Sequence, residues 1–96
     1  MFRPIKVTEN SLSPEYREGD YVVITTIPFF LRRIRAGDVI VFRHPSYGIM
    51  IKRVERVLGA GDQFFVVGEH PYSVDSRQFG PVSKEALLGK VIWHIT

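Results

Sequence analysis

Gly37-Asp38-Val39-Ile40-Val41-Phe42 is the stretch that decides the fold. Glycine takes positive φ at no steric cost, and aspartate ties a turn by accepting from nearby backbone N–H groups. The residues behind it are β-branched or aromatic and favour a strand. The same grammar recurs as Gly19-Asp20-Tyr21-Val22-Val23-Ile24 and as Gly61-Asp62-Gln63-Phe64-Phe65-Val66-Val67. The spacing is uneven, so these are turn-then-strand units and not a solenoid repeat.

Working outward, Ile49 to Val57 reads as a long strand that ends at Gly59. Lys90 to Ile95 reads as a closing strand, and Pro4 to Thr8 as a short opening one. Helix signals are weak. Ser13-Pro14-Glu15-Tyr16-Arg17-Glu18-Gly19 has a capping serine, a proline at the first helical position and a terminating glycine. Ser83-Lys84-Glu85-Ala86-Leu87-Leu88-Gly89 resembles it, and each suits one or two turns. Many short strands and few helices predict a mainly-β domain, a coiled sheet or partly open barrel. Nothing marks an internal boundary, so residues 1–96 are expected to form a single domain.

Composition narrows the function. With 96 residues and 45% hydrophobic content, the chain can bury one modest core. It has no cysteine, which removes disulfides, thiolate metal sites and a cysteine nucleophile. No run reaches the ~20 apolar residues of a membrane span. The longest, Ile27-Pro28-Phe29-Phe30-Leu31, stops at Arg32-Arg33 and reads as an apolar loop that touches substrate or lipid, or fills the core. A soluble, cytoplasmic protein is expected, membrane-associated only if an anchor once preceded Met1. The net charge of +3 and pI near 9.5 permit a polyanion partner. Only Arg32, Arg33 and Arg35 cluster, and a short basic run usually faces water. No nucleic-acid partner is therefore expected.

Lys52 is the first chemical candidate. In a strand, Met50, Lys52 and Val54 share one face, while Ile51 and Arg53 take the other. A lysine between apolar neighbours is either desolvated, which lowers its pKa and makes it a base, or snorkels to water. The local pattern leaves both open. Ser11-Leu12-Ser13-Pro14 lies between a strand and a turn, where a hydroxyl can be held exposed, although serine beside proline is also ordinary turn chemistry. Ser73-Val74-Asp75-Ser76-Arg77 places Asp75 and Arg77 two apart, on one face of an extended chain, where the pair can fix a loop. His44, His70 and His94 show no metal-ligand spacing, so no metal or cofactor is implied.

In order along the chain, these segments resemble the signal peptidase I superfamily of serine peptidases. Ser11-Leu12-Ser13-Pro14 is similar to its Ser-Met-x-Pro motif, with leucine for methionine. Gly37 to Phe42 is similar to its Gly-Asp strand, and Ile51-Lys52-Arg53-Val54 to its lysine motif. Gly68 to Val82 is similar to its Ser-x-Asp-Ser-Arg box, and Gly89-Lys90-Val91 to its closing Gly-Lys-Val. The resemblance implies the signal peptidase–LexA type of β fold and a Ser-Lys dyad. Ser11 would be the nucleophile, with Ser13 its rival, and Lys52 the general base. Ser76 would orient Lys52, and Asp75 and Arg77 would form a structural pair beneath the site.

A protein substrate would lie extended along the edges Ile5 to Asn10 and Tyr47 to Ile51. Val7, Glu9, Asn10, Leu12, Tyr47, Ile49 and Met50 are the residues expected to touch it. Glu9 stands where some relatives carry a serine of the oxyanion hole, and Glu69-His70 replaces the usual Asp-Asn. Arg43-His44-Pro45 and Asp75 to Val82 are similar to the branch that matures nickel-type superoxide dismutase. That branch implies removal of a short N-terminal propeptide, with the nickel belonging to the substrate. The alternatives are a non-catalytic basic β module and a membrane-associated signal peptidase lacking its anchor.

Overall fold

The structure is a computed structural model that describes residues 1–8, 15–69 and 72–95. Its centre is an antiparallel pair, β3 (Val39–His44) against β4 (Gly48–Leu58). Around it lie β1 (Phe2–Lys6), β2 (Tyr21–Thr25), β5 (Gln63–Val67), β6 (Val82–Ser83) and β7 (Leu87–Ile95). They form one seven-stranded sheet in the order β1-β2-β7-β3-β4-β5-β6, and every pairing is antiparallel. The expected mainly-β, partly open sheet is what the chain forms.

The run Val39-Ile40-Val41-Phe42 is buried throughout because both faces of β3 are covered. Alternation sends Val39 and Val41 to one core with Val22, Ile24 and Ile51. It sends Ile40 and Phe42 to a second core with Met50, Val54, Phe64 and Val66. A sheet this small covers both faces of its central strand only by coiling over itself.

Two of the Gly-Asp turns are built alike. Asp20 Oδ2 accepts from Arg17 N, and Asp38 Oδ2 from Arg35 N, both at 3.0 Å. The glycines sit at φ 96° and 99°, where only glycine is unstrained. Each turn then docks on a valine, Val7 just past the end of β1 and Val54 within β4. Val7 N donates to Asp20 O at 2.7 Å and Gly19 N to Val7 O at 2.8 Å. Val54 N donates to Asp38 O and Gly37 N to Val54 O at the same two distances.

The strands differ from expectation only at their ends. β1 begins at Phe2 and β7 at Leu87, and the two-residue β6 carries no sequence signal. The helices differ more. Within Ser13 to Gly19, Glu15 to Gly19 form turns and a bend, and Ser13 and Pro14 lie outside the described residues. Ser83 does cap a turn, but it is a 3₁₀ turn over Lys84–Ala86 that yields at once to β7. Ile27 to Leu31 is not a loop: Pro28–Leu31 is one helical turn, α1, with Phe29 half exposed and Leu31 packed against the second core. The last short helix, α2 (Ser76–Phe79), forms where the sequence suggests only a loop fixed by Asp75 and Arg77.

Candidate active site

Lys52 lies in the middle of β4 with its side chain 1% exposed. Met50 and Val54 flank it, and Ile40 is its cross-strand partner. All three belong to the second core, so the face expected for Lys52 is the face it takes. Arg53 takes the opposite face.

α2 comes to this face through its N-terminus. Asp75 caps the helix: it accepts from Arg77 N at 3.0 Å, and its own N donates to Gln78 Oε1 at 2.9 Å. This reciprocal box makes Asp75-Ser76-Arg77-Gln78 helical. It also turns Asp75 and Ser76 onto the edge of β5. Val66 N donates to Ser76 Oγ at 2.8 Å, and Gly68 N donates to Asp75 Oδ2 at 2.9 Å. β6 pairs β5 only at Gln63 and Phe64, so the two side chains continue that edge where β6 stops. Val66 is opposite Val54, the next residue after Lys52 on the same face. Ser76 therefore stands one cross-strand step from the neighbour of Lys52.

Asp75 is fully buried, and the expected pair with Arg77 is present, at 2.6 and 2.9 Å. Burial pushes the Asp75 carboxyl up, but hydrogen bonds from the Arg77 guanidinium, Gly68 N and Arg77 N outweigh it. The net result lies below the usual carboxylate range.

Arg53 ties down the surroundings. Its guanidinium donates to Gly37 O at 2.8 Å, to Glu69 at 3.2 Å and to Glu15. Glu15 directly follows the stretch that contains Ser11. Tyr16, the next residue, stacks on His94 at 4.2 Å, and His94 Nε2 meets Asp20 Oδ2 at 2.8 Å. Burial, then Glu15, holds the Tyr16 hydroxyl above its ordinary range. The contacts of Arg53 and His94 were not foreseen. Their partners are 16 to 78 residues away in sequence, and no local pattern marks them.

Among the residues expected to touch substrate, Val7, Ile49 and Met50 line one small cleft of about 20 Å³ with Ile5 and Thr8. It lies between the end of β1 and the start of β4. Tyr47 is elsewhere, on the β3–β4 hairpin beside His44 and Phe79. Ser11, Glu9, Asn10 and Leu12 lie outside the described residues. No helix among the described residues is long and apolar enough to cross a membrane.

Compared with protein families, the chain matches the one described as signal peptidase, peptidase S26, over residues 1–62 and 55–96. It belongs to that family. It is also 22% identical to signal peptidase I V of Bacillus subtilis (strain 168), in an alignment covering 95% of this chain and 84% of that protein. Membership of the S26 family makes the chain a peptidase with a polypeptide substrate.

Proposed function

We propose that this S26 peptidase is a serine endopeptidase with a Ser11–Lys52 dyad. Lys52, as the neutral amine, takes the Ser11 hydroxyl proton as the oxygen attacks the scissile carbonyl. It then delivers that proton to the leaving amine, and water resolves the acyl-enzyme by the reverse route. The burial of Lys52 carries this assignment. At 1% exposure the side chain has left bulk water, and burial is the condition under which a lysine can serve as a base.

Ser76 orients the base in this scheme. Its oxygen is already held by Val66 N, so its hydroxyl is fixed for a bond to the amine. Asp75 and Arg77 hold the turn that presents it. The nucleophile's own N–H contributes to the oxyanion hole.

The substrate lies extended between β1 and β4. The cleft of Val7, Ile49 and Met50 supports this. Among the described strands, β5 pairs with β4 only from Arg53 onward, whereas β3 runs along its other edge from Gly48. The narrower assignment is removal of a short N-terminal propeptide, with a nickel superoxide dismutase precursor as substrate. It is supported by Arg43-His44-Pro45 and by the Asp75 to Val82 segment.

Purified protein mixed with that precursor should free a new N-terminus, read by mass spectrometry. Ser11→Ala and Lys52→Ala should each reduce the rate at least about a thousandfold, the scale on which nucleophile–base units fail. Undiminished cleavage by both variants would sink the dyad. Cleavage of other precursors but not this one would sink only the substrate.

A further inference from the structure

Beyond Lys52, along β4, the β3–β4 hairpin carries three rings in mutual contact. His44 lies 4.6 Å from Phe79 and 4.9 Å from Tyr47, and Tyr47 lies 6.2 Å from Phe79. The rings are tilted, an arrangement that adds attraction beyond area burial. Tyr47 remains 53% exposed, so the cluster is not closed over by the protein.

The His44 ring is fixed in one tautomer. Its Nδ1 accepts from Ser46 N at 3.0 Å and from Tyr47 N at 3.3 Å. A nitrogen that accepts carries no proton, so the ring hydrogen sits on Nε2 as a donor. Beside the cluster lies a cavity of about 240 Å³, lined by Phe42, His44, Pro45, Phe79, Pro81 and Val82. Arg43 and Ser83 also border it, and the rest of its wall is apolar or aromatic.

Two elements join this feature to the candidate site. α2 has Ser76 at one end, against Val66, and Phe79 at the other, against His44. β4 runs from Gly48, beside Tyr47, to Lys52. A strand rises about 3.3 Å per residue, so Tyr47 lies about 17 Å along the strand from Lys52. An extended peptide covers that span in about five residues.

We propose that the His44–Tyr47–Phe79 cluster and its cavity form a side-chain subsite for an apolar or aromatic residue of the substrate, about five positions from the scissile bond. The proposal rests on Lys52 being the base, because Lys52 marks where the bond sits. The rings receive the side chain, and His44 Nε2–H donates to a carbonyl of the extended backbone.

The test is digestion of a proteome-derived peptide library, with cleavage positions read by mass spectrometry. Wild type should enrich Phe, Tyr, Trp, Leu or Met at one position four to six residues from the cut. Tyr47→Ala should reduce that enrichment about five- to tenfold and leave preferences next to the bond unchanged. A ring-on-ring contact of about 0.5–1.5 kcal/mol corresponds to two- to twelvefold. No enrichment at those positions, or the same enrichment in Tyr47→Ala, overturns the subsite.

Lys52→Ala separates the two failures. If it still cleaves while the Tyr47-dependent preference persists, the base assignment falls and the subsite stands. If wild type leaves the library intact, binding decides. Twelve-residue Ala-Ser peptides, with and without one Phe, are titrated into Lys52→Ala protein. Shifts of the His44 and Tyr47 ring signals with the Phe peptide alone support the subsite, and their absence overturns it.

Discussion

The turns Arg17-Glu18-Gly19-Asp20 and Arg35-Ala36-Gly37-Asp38 share one geometry but serve different parts of the molecule. Both dock on a valine with the same pair of backbone bonds. Both aspartates are met from β7, by the residue opposite the position two beyond the aspartate. His94, opposite Val22, reaches Asp20 at 2.8 Å, and Lys90, opposite Ile40, reaches Asp38 at 3.4 Å. The surroundings then diverge. The first turn follows Glu15 and Tyr16, at the exit of the stretch that holds Ser11. The second is tied by its glycine carbonyl to Arg53, the neighbour of Lys52. One strand, β7, thus moors both turns, the one that follows the Ser11 stretch and the one tied to the neighbour of Lys52. Local chemistry built the turn twice, and tertiary partners gave each copy its task.

The largest expected effect comes from removing the aspartates. Asp20→Ala and Asp38→Ala each take away a turn bond and a β7 partner. Each should lower the melting temperature by roughly 5–10 °C, on the scale of a domain this size. If the copies are alike in the fold, the two drops will match within a few degrees, as calorimetry can show. Cleavage rates would then be compared at a temperature where both variants are folded.

Arg53→Lys breaks the comparison from the other side. It keeps the charge and loses the fork that reaches Glu15, Glu69 and Gly37 at once. We expect kcat to fall about tenfold and the melting temperature to move by less than about 4 °C. Equal losses in stability and rate would show that Arg53 serves the fold alone.

Smaller effects follow from the glycines. A Cβ at Gly19 or Gly37 would meet nothing within 4 Å, so only the backbone resists it. Gly19→Ala and Gly37→Ala should each cost about 1 kcal/mol, equally, in urea denaturation. Gly89→Ala is the control. Its Cβ would fall 2.9 Å from Ile24 and from Thr25 O, a contact that requires the strands to move.

The smallest effect is on acid response. The bond from Arg17 N, then that from His94, holds the Asp20 carboxyl below the usual carboxylate range. The stability it contributes is fully present above about pH 4 and drains as the pH falls through the depressed folded value. Carboxyl NMR of Asp20 should show that low titration point, and His94→Gln should move it upward. An Asp20 that titrates at the ordinary value in wild type would remove the His94 half of the comparison.

Much of this was legible in sequence, for reasons that name residues. Glycine and aspartate before β-branched runs located β2, β3 and β5, because turn chemistry and strand propensity are both local. Period-two alternation gave Lys52 its face. Asp75 to Arg77 reads in sequence only as a loop fixed by an ion pair, although Asp75 with Gln78 three residues on is a capping box that could have signalled the helix. β6 could not be read, since two residues carry no period. The Arg53 fork and the Tyr16–His94–Asp20 contact depend on the coil of the sheet, which brings distant segments together with no trace in spacing. The Ser11 stretch had its motif but lies outside the described residues.

β5 meets β4 only from Arg53 to Leu58. A chain laid along Gly48 to Lys52 therefore runs into the end of another strand. On the proposed path, a substrate that has run about 17 Å would have to leave the plane of the sheet there. Such a path would be a cul-de-sac and not a through-channel. A segment locked inside a folded helix or sheet cannot turn out of the plane there, whereas a loose tail projecting from a folded domain can. On the proposed reading, the length of one neighbouring strand would sort substrates by their folded state before any side chain is read.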